Sequence, residues 1–389
     1  MPRERLAFGA AIAVNPALGS LYAWSIFLEP LEAALALPRA GLSIVFSVAV
    51  VFFTGGMVLG PALYRLAPTP VLAALLALLC AAGLAATAQA SSLAAVVLGY
   101  GVLFGSGSGL GYSVMLQAVN LALPRRSGLA NGIGIGLFAG GSVLFAQLFG
   151  WSVAAHGVAW TLWAMAALFV AAAAAAALFL HLSRISLRDA GRLRADAGGV
   201  AGRRLFRPIW AGFLLGAGSG LMCISQAAAM VTAYGGSVAL AVFGTTMVAA
   251  GNCAGRLAGG ALSDLLPTRT VVVGAHALAA IGLAALVAAP AAGVAVAAIA
   301  MVGLSYGLQS AAYPSALAIH YGAENYGRMM GRLMTAWGIA GLSAPIVAGA
   351  LYDARGSYAI AVWLAAGAAA LAILVSLRLP GRSPAARPA

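Results

Sequence analysis

The chain contains no lysine and few charged residues of any kind. All 21 basic residues are arginine, and charged side chains make up 7% of the 389 residues against 63% for hydrophobic ones. A soluble domain carries roughly a quarter charged residues, so this composition excludes a water-soluble fold and indicates lipid as the solvent. The net charge of +13 does not indicate nucleic acid. The arginines stand in short loops between apolar stretches, which is the pattern of membrane topology.

Other scarce features exclude further classes of protein. Each of the three cysteines lies inside an apolar segment, so neither a disulfide framework nor a metal site is expected. The four histidines are scattered and form no metal cluster in the sequence. No phosphate-binding glycine loop or nucleophile–base pair is apparent. We therefore expect a protein that is not an enzyme and needs no cofactor. The first apolar stretch runs to about Phe27, too long for a cleaved signal peptide, and we interpret it as helix one.

Long apolar stretches define the predicted architecture. Spanning a bilayer takes roughly 20 such residues. Twelve stretches qualify, at 7–28, 42–63, 70–89, 93–117, 129–150, 158–181, 208–232, 238–262, 270–289, 293–318, 331–351 and 357–379. The sequence thus predicts an all-α membrane protein with twelve transmembrane helices in two six-helix halves. The halves are 1–181 and 208–379, with a linker at 182–207 between them and a tail at 380–389.

The two halves repeat at an offset of about 200 residues. Gly60 and Gly260 end helices two and eight in similar segments, and Tyr112 in helix four answers Tyr313 in helix ten. Parallel repeats with a binding site between them are typical of alternating-access carriers.

The distribution of arginine predicts orientation. The N-terminus, the loops after even-numbered helices and the tail hold 18 of the 21 arginines. The opposite loops hold Arg39 and Arg355, and Arg256 lies inside helix eight. The positive-inside rule then places both termini in the cytoplasm of a protein of the cell (inner) membrane. The linker, with seven arginines, is interpreted as a topology-setting segment or as a contact for anionic lipid or regulation.

Arg256 is the most informative single residue. An arginine within a lipid-spanning helix costs roughly 2.5–3.5 kcal/mol on insertion scales, and no Asp or Glu lies in a predicted helix core. A substrate anion is the economical partner, since a guanidinium binds a carboxylate bidentately. The alternative is a structural arginine that reaches backbone groups or Asp264.

Other residues are candidates for lining a cavity, for helix packing or for gating. Aromatic side chains that could line a cavity are Tyr22, Trp24, Tyr112, Phe138, Tyr306, Tyr313 and Trp337. Pro16 and Pro314 predict breaks in helices one and ten. The glycines of helix five predict close helix packing. Gly260, Asp264 and Arg269 are candidate gating residues, with simple helix termination as the alternative.

Four segments carry a family resemblance over nearly the whole chain. They are GSLYAWSIF (19–27), PRRSGLANGIG (124–134), GNCAGRLAGGALSD (251–264) and NYGRMMGRLMTAWGIAG (325–341). Together with the twelve-helix plan they resemble the major facilitator superfamily, and within it the oxalate/formate antiporters and the neighbouring monocarboxylate transporters. The resemblance implies that Arg256 binds the substrate carboxylate and that Tyr22, Tyr112 and Tyr306 enclose it. Phe138 stands where the oxalate exchanger has a tyrosine.

Three departures from the family pattern refine this expectation. Trp337 occupies the position of the exchanger's second cation, a lysine, so one site cation remains. Asn252 replaces the aspartate of proton-coupled relatives, which puts that family's proton route in doubt. We expect Asn252 to belong to the substrate site, where it orients the carboxylate or Arg256. Tyr64 stands where an aspartate is usual in the first half.

These observations predict secondary transport of a small organic anion, a monocarboxylate in preference to oxalate, by a monomer in contact with membrane lipid. A counter-substrate or a proton is a possible second partner, and nucleic acid is not expected. Alternatives are an oxalate/formate-type exchanger, an exporter of an uncharged or amphipathic compound, and a transporter-like sensor.

Overall fold

A computed structural model describes residues 2–35, 39–190 and 200–381. The predicted linker and tail therefore fall partly outside the described residues, at 191–199 and 382–389. The described chain is helical throughout and shows no β-strand.

The first six predicted spans correspond to helices with a few irregular turns. The regular helices are α1 (Arg3–Gly19), α2 (Ser25–Leu35), α3 (Arg39–Leu63), α4 (Thr69–Ala88), α5 (Leu93–Val96), α6 (Gly105–Ala122), α7 (Ser127–His156) and α8 (Val158–Ser183). A 3₁₀ turn, Ser20–Ala23, follows α1, and a π-helical segment, Val97–Phe104, joins α5 to α6 as one continuous span. A second 3₁₀ turn, Pro124–Arg126, precedes α7.

The second half follows the short helix α9 (Leu187–Ala190). Its helices are α10 (Val200–Ser225), α11 (Ala227–Ala233), α12 (Val238–Leu265), α13 (Thr268–Ala288), α14 (Ala292–Tyr321), α15 (Tyr326–Arg355) and α16 (Ala359–Ser376). The helices agree with the predicted all-α fold of two six-helix sets, and the predicted bounds of the halves, 1–181 and 208–379, stay a prediction.

Helix pairing repeats between the halves. In the first half α3 packs on α6, α4 on α8, and α1 on both α6 and α8. In the second, α12 packs on α14, α13 on α16, and α10 on both α14 and α16. These pairs occupy corresponding positions in the two sets of six helices, as an internal duplication requires.

The surfaces of these helices suit a lipid environment. Among the described residues, eleven helical stretches are long and apolar enough to cross a membrane. Helix α12, the predicted eighth span, has 28 residues and carries Asn252, Arg256 and Asp264. Large apolar side chains such as Leu59, Ile346 and Trp363 are each 63% exposed, which is tolerable only in a solvent as apolar as they are.

Both predicted proline breaks are wrong. Helix α1 runs through Pro16 to Gly19, and α14 runs through Pro314 to Tyr321. Neighbouring helices satisfy backbone groups in a membrane, so a proline need not end a helix there. The irregular turn of helix one instead covers Ser20–Ala23, where the Tyr100 hydroxyl donates to the carbonyl of Leu21 at 3.0 Å.

The chain divides into two compact units. The first unit comprises Met1–Arg125, Gly134–Arg194 and Gly322–Met334, and the second comprises Arg126–Ile133, Ala195–Tyr321 and Thr335–Ala389, so far as these residues are described. The first residues of α7 thus belong to the second unit and the first residues of α15 to the first.

Candidate functional site

Arg256 lies in the second unit and is oriented by its own helix. Its Nε donates to Oδ1 of Asn252, one turn earlier on α12, at 3.0 Å. The guanidinium carbon lies 5.9 Å from the centroid of the Tyr306 ring on α14. A guanidinium held at Nε and laid against a ring has a defined plane, which suits recognition of a planar anion.

Tyr306 joins Arg256 to another predicted residue. The indole Nε1 of Trp337 donates to the Tyr306 hydroxyl at 2.8 Å. Both side chains are buried. The structure thus brings together four of the predicted site residues, Asn252, Arg256, Tyr306 and Trp337, which we call the arginine cluster. Its one charged member is Arg256.

Close packing of α12 on α14 positions this cluster. Gly251, Gly255 and Gly259 recur every four residues on α12 and face the backbone of α14. A Cβ on Gly255 would collide with the Leu304 carbonyl. Small residues at this spacing let two backbones approach closely, so the two helices that carry the cluster have a fixed separation.

Three of the remaining predicted aromatics, Tyr22, Tyr112 and Phe138, form a cluster with two other phenylalanines in the first unit. Phe138 is central: its ring centroid lies 4.6 Å from that of Tyr112, 5.6 Å from Phe53 and 5.7 Å from Tyr22. Tyr22 also lies 6.1 Å from Phe46. These five residues are the aromatic cluster. Tyr22 is 38% exposed, whereas Tyr112 and Phe138 are buried.

Two other aromatic candidates have packing roles. Trp24 is buried and donates from Nε1 to the Leu42 carbonyl at 3.2 Å, and its ring lies 4.4 Å from that of Tyr100. Tyr313 is fully buried on α14 and bonds to two polar side chains. Neither residue belongs to the arginine cluster or to the aromatic cluster.

The predicted gating residue Asp264 caps a helix. Its two carboxylate oxygens accept from the backbone N–H groups of Gly128 and Leu129, each at 2.8 Å, at the start of α7. A Cβ added to Gly260 would come within 2.6 Å of the Gly128 carbonyl oxygen and of Gly132 Cα, so a side chain would not fit there. A carboxylate at a helix N-terminus is favourable because it meets unpaired N–H groups and the positive end of the dipole.

Arg269, the third gating candidate, is not part of this contact. It is the second residue of α13, and no ion pair joins it to Asp264 in the described part of the chain.

A matching contact in the first unit depends on a residue that sequence reasoning missed. Gln117 of α6 is fully buried; its Oε1 accepts from the Gly327 N–H at 2.6 Å and its Nε2 donates to the Ala323 carbonyl. Tyr64 packs beside it with its hydroxyl 3.0 Å from Oγ of Ser113. Burial raises the pKa of the Tyr64 phenol, so this group is neutral. The available signal was an amide inside an otherwise apolar helix.

Comparison with known proteins finds similarity to one superfamily. Residues 209–389 match the model of the Major Facilitator Superfamily. An Escherichia coli (strain K12) protein described as the uncharacterized MFS-type transporter YhjX is 27% identical over 340 residues, which cover 84% of this chain and 83% of that protein. This match and the fold support membership of the major facilitator superfamily and a role as a transporter and not an enzyme.

Solved structures show the same fold. The transporter FucP, crystallised in the outward conformation, aligns with a TM-score of 0.74 at 15% identity, covering 95% of this chain and 98% of FucP. The human organic anion transporter MFSD10 gives 0.71 at 16%, covering 97% and 100%. The proton:xylose symporter XylE gives 0.67 at 17%, covering 96% and 97%. The predicted major facilitator fold is confirmed, and the apolar helices support a multi-pass membrane protein. The narrower assignment to oxalate/formate or monocarboxylate carriers stays a prediction.

Proposed function

We propose that the protein is a secondary active transporter of a small organic anion, a monocarboxylate, which Arg256 binds during alternating access. The observation that carries this proposal is the orientation of an intramembrane guanidinium by Asn252 and the Tyr306 ring. An arginine at such a position in a transporter marks a substrate or ion path by default. Paired N–H groups in one plane match the two oxygens of a carboxylate.

The charge of the arginine cluster supports one carboxylate and not two. Arg256 supplies a single positive charge, and Trp337, which stands at the position of the family's second cation, is neutral and donates to Tyr306. A dianion such as oxalate would leave one charge unbalanced away from water, at a cost of several kcal/mol. Tyr22, Tyr112 and Phe138 are proposed to enclose the apolar part of the substrate.

The contact at Asp264 is proposed as part of the gate. Asp264 lies on α12, the helix that carries Arg256, and accepts two hydrogen bonds from backbone N–H groups at the start of α7. Gly260 allows α12 and the start of α7 to approach closely. Movement of α7 away from α12 would break both bonds. We propose that this end of the molecule is cytoplasmic, that the protein is a monomer of the cell membrane, and that Arg269 assists the gate.

Transport into liposomes tests the proposal. Purified protein is reconstituted and offered radiolabelled formate, acetate, lactate and benzoate, with oxalate, fucose and xylose as comparison compounds. We expect saturable uptake of at least one of the four monocarboxylates and little uptake of oxalate, fucose or xylose. Arg256→Gln should lower that uptake about a hundredfold, as expected for loss of a charged hydrogen-bond partner.

A matched control separates a site effect from loss of charge. Arg355→Gln removes the same charge from an exposed helix end and should leave uptake unchanged. Monodisperse elution of each variant establishes folding. Uptake of a sugar without any monocarboxylate, or a wild-type rate in a folded Arg256→Gln protein, would overturn the proposal.

A further inference from the structure

Two irregular helical segments meet in the first unit. The 3₁₀ turn Ser20–Ala23 follows α1, and the π-helical segment Val97–Phe104 lies within the span formed by α5 and α6. Tyr100, inside the π-helical segment and 1% exposed, donates from its hydroxyl to the Leu21 carbonyl at 3.0 Å. Irregular helix turns of this kind are often found at functional sites. This one carries Tyr22, the exposed member of the aromatic cluster.

The winding of the 3₁₀ turn sets the direction of the Tyr22 side chain. A 3₁₀-helix turns about 120° per residue and an α-helix about 100°. Over the three steps from Gly19 to Tyr22, the two forms therefore differ by roughly 60° in where the side chain points. In the 3₁₀ form the Tyr22 ring centroid lies 5.7 Å from that of Phe138 and 6.1 Å from that of Phe46. A change to α-helical winding would turn Tyr22 out of this position.

Neighbouring helices hold the chain just before the turn. A Cβ on Gly19 would collide with the Phe138 carbonyl, so this part of the chain lies directly against α7. Ser108 of α6 is fully buried and donates to the Leu18 carbonyl at 3.1 Å. The bond from Tyr100 differs from these contacts because the carbonyl that accepts it lies within the turn itself. The Tyr100 hydroxyl is therefore placed to stabilise the 3₁₀ form.

The π-helical segment explains how Tyr100 reaches the turn. Tyr100 and Ser108 are eight residues apart, and on a regular α-helix they would point about 80° apart around the axis. A π turn holds more residues than an α turn and reduces this angle, so both side chains reach carbonyls of helix one. Close packing fixes the segment, because a Cβ on Gly99 would collide with Thr87 Oγ1 and with the Gly83 carbonyl of α4. The hydroxyl donor is therefore held in a defined position.

The ring and the hydroxyl of Tyr100 have separate contacts. The ring centroid lies 4.4 Å from that of Trp24 and 4.9 Å from that of Phe104. The hydroxyl bonds to the Leu21 carbonyl. Phenylalanine at this position would keep the ring contacts and lose the hydrogen bond, so Tyr100→Phe isolates the effect of the hydroxyl.

We propose that Tyr100 is a positioning residue that sets the selectivity of the transporter for the apolar part of its substrate. Its bond to Leu21 keeps the turn in the 3₁₀ form, which keeps Tyr22 against Phe138. An acid with an aromatic ring, such as benzoate, contacts the Tyr22 ring, whereas formate has no apolar part to make this contact. Selectivity between such acids therefore depends on a residue that does not touch the substrate. The selectivity role rests on the proposed enclosure of the substrate by the aromatic cluster, whereas the positioning of Tyr22 does not.

The first experiment measures the position of Tyr22 without any substrate. The chain has 11 tyrosines, so incorporation of fluorotyrosine gives a small set of fluorine NMR signals, and Tyr22→Phe assigns the signal of interest. We expect Tyr100→Phe to shift the Tyr22 signal by more than its line width, because the ring moves away from Phe138. Tyr358→Phe is the matched control: it removes a hydroxyl that donates to Gln226 Oε1 at 3.0 Å in the second unit and should leave the Tyr22 signal in place. An unshifted Tyr22 signal in Tyr100→Phe would overturn the proposal.

The second experiment measures selectivity in the liposome assay, with benzoate, formate and acetate. Tyr100→Phe should raise the KM of benzoate about tenfold and change the KM of the two small acids less than twofold, with kcat nearly unchanged. A general loss of structure would instead lower transport of all three acids, and Tyr358→Phe should change none of these values.

Two results of the transport assay would overturn the selectivity role. They are equal changes for benzoate and the small acids in a folded Tyr100→Phe protein, and a wild type that takes up the small acids but not benzoate. If the wild type transports no carboxylate at all, the proposed anion transport fails. The fluorine NMR signal then still decides whether Tyr100 positions Tyr22.

Discussion

The two units hold the start of a neighbouring helix in different ways. In the second unit a carboxylate, Asp264, accepts from two N–H groups at the start of α7. In the first unit a neutral amide, Gln117, accepts one N–H group and donates to one carbonyl at the start of α15, with Tyr64 beside it. The contact thus has corresponding places in the two units but different chemistry. In the second unit it is made by the carboxylate of Asp264, which we call the charged cap, and in the first by the amide of Gln117, which we call the neutral clamp.

The same contrast applies to the rest of each unit. The first unit contributes rings packed on rings, with Phe138 at the centre. The second unit contains the charged side chains of Arg256, which bonds to the Asn252 amide, and of Asp264, which bonds to backbone N–H groups. The two duplicated units thus contribute different things to the molecule: the first contributes packed aromatic rings, and the second contributes charged side chains.

Glycine-to-alanine pairs give the largest expected difference in stability. In the first unit a Cβ on Gly141 would collide with the backbone of Pro16, which cannot rotate away, whereas Gly140 has open space around it. We expect Gly141→Ala to lower the unfolding free energy by about 3 kcal/mol or to prevent folding, and Gly140→Ala to be neutral. Thermal unfolding in detergent measures both.

A pair of glycines on α10 in the second unit sharpens this comparison. Gly216 meets side-chain ends and Gly218 meets nothing within 4 Å. Because side-chain ends can rotate, Gly216→Ala should cost less than Gly141→Ala. Equal loss in the two units would mean that backbone contact does not set the penalty.

The neutral clamp should be costlier to remove than the charged cap. Gln117→Leu leaves a buried N–H group and a buried carbonyl without their partner, and each such group costs about 1–3 kcal/mol. The expected fall in the unfolding midpoint is accordingly large. Gln89→Leu, on an exposed amide at the end of α4, is the control and should change little.

Replacing the charged cap should have a smaller, salt-dependent effect. Asp264→Asn keeps the size of the side chain and one acceptor oxygen but loses the charge at the N-terminus of α7. We expect a loss of about 1 kcal/mol at low ionic strength that shrinks in high salt. The salt dependence should be missing for Gln117→Leu. A salt-independent loss in Asp264→Asn would show that geometry, and not charge, holds α7.

The smallest effect is expected within the arginine cluster. Trp337→Phe keeps an aromatic ring and removes the indole N–H that donates to Tyr306. A neutral hydrogen bond contributes about 0.5–1.5 kcal/mol, so the KM of the transported acid should rise at most about tenfold with kcat nearly unchanged. Loss of all transport in a folded Trp337→Phe protein would contradict this assignment.

Much of the fold follows from sequence because hydropathy in lipid is a strong local signal. The twelve stretches, the two halves and the position of Arg256 on helix eight were all predictable from residue type and spacing. The predictions that failed concern local structure that depends on residues far away in the sequence. The turn after Gly19 relies on Tyr100, some 80 residues away in sequence, and no local pattern around Pro16 reveals it.

The candidate site shows the same limit. Asn252 and Arg256 are one turn apart on a helix, so their contact is readable from the sequence. The bond from Trp337 to Tyr306 and the clamp of Gln117 join residues that are 31 and 210 positions apart. Tertiary packing brings these residues together, and their proximity cannot be read from a single sequence.

The glycine contacts between α12 and α14 have a mechanical consequence. Two helices that touch backbone to backbone at Gly251, Gly255 and Gly259 leave no soft side-chain layer to absorb a displacement. We therefore expect the two helices to move together as one rigid element. Arg256 and Asp264 are eight residues apart on α12, or ~12 Å. A displacement of α12 at Asp264 should accordingly move Arg256 as well.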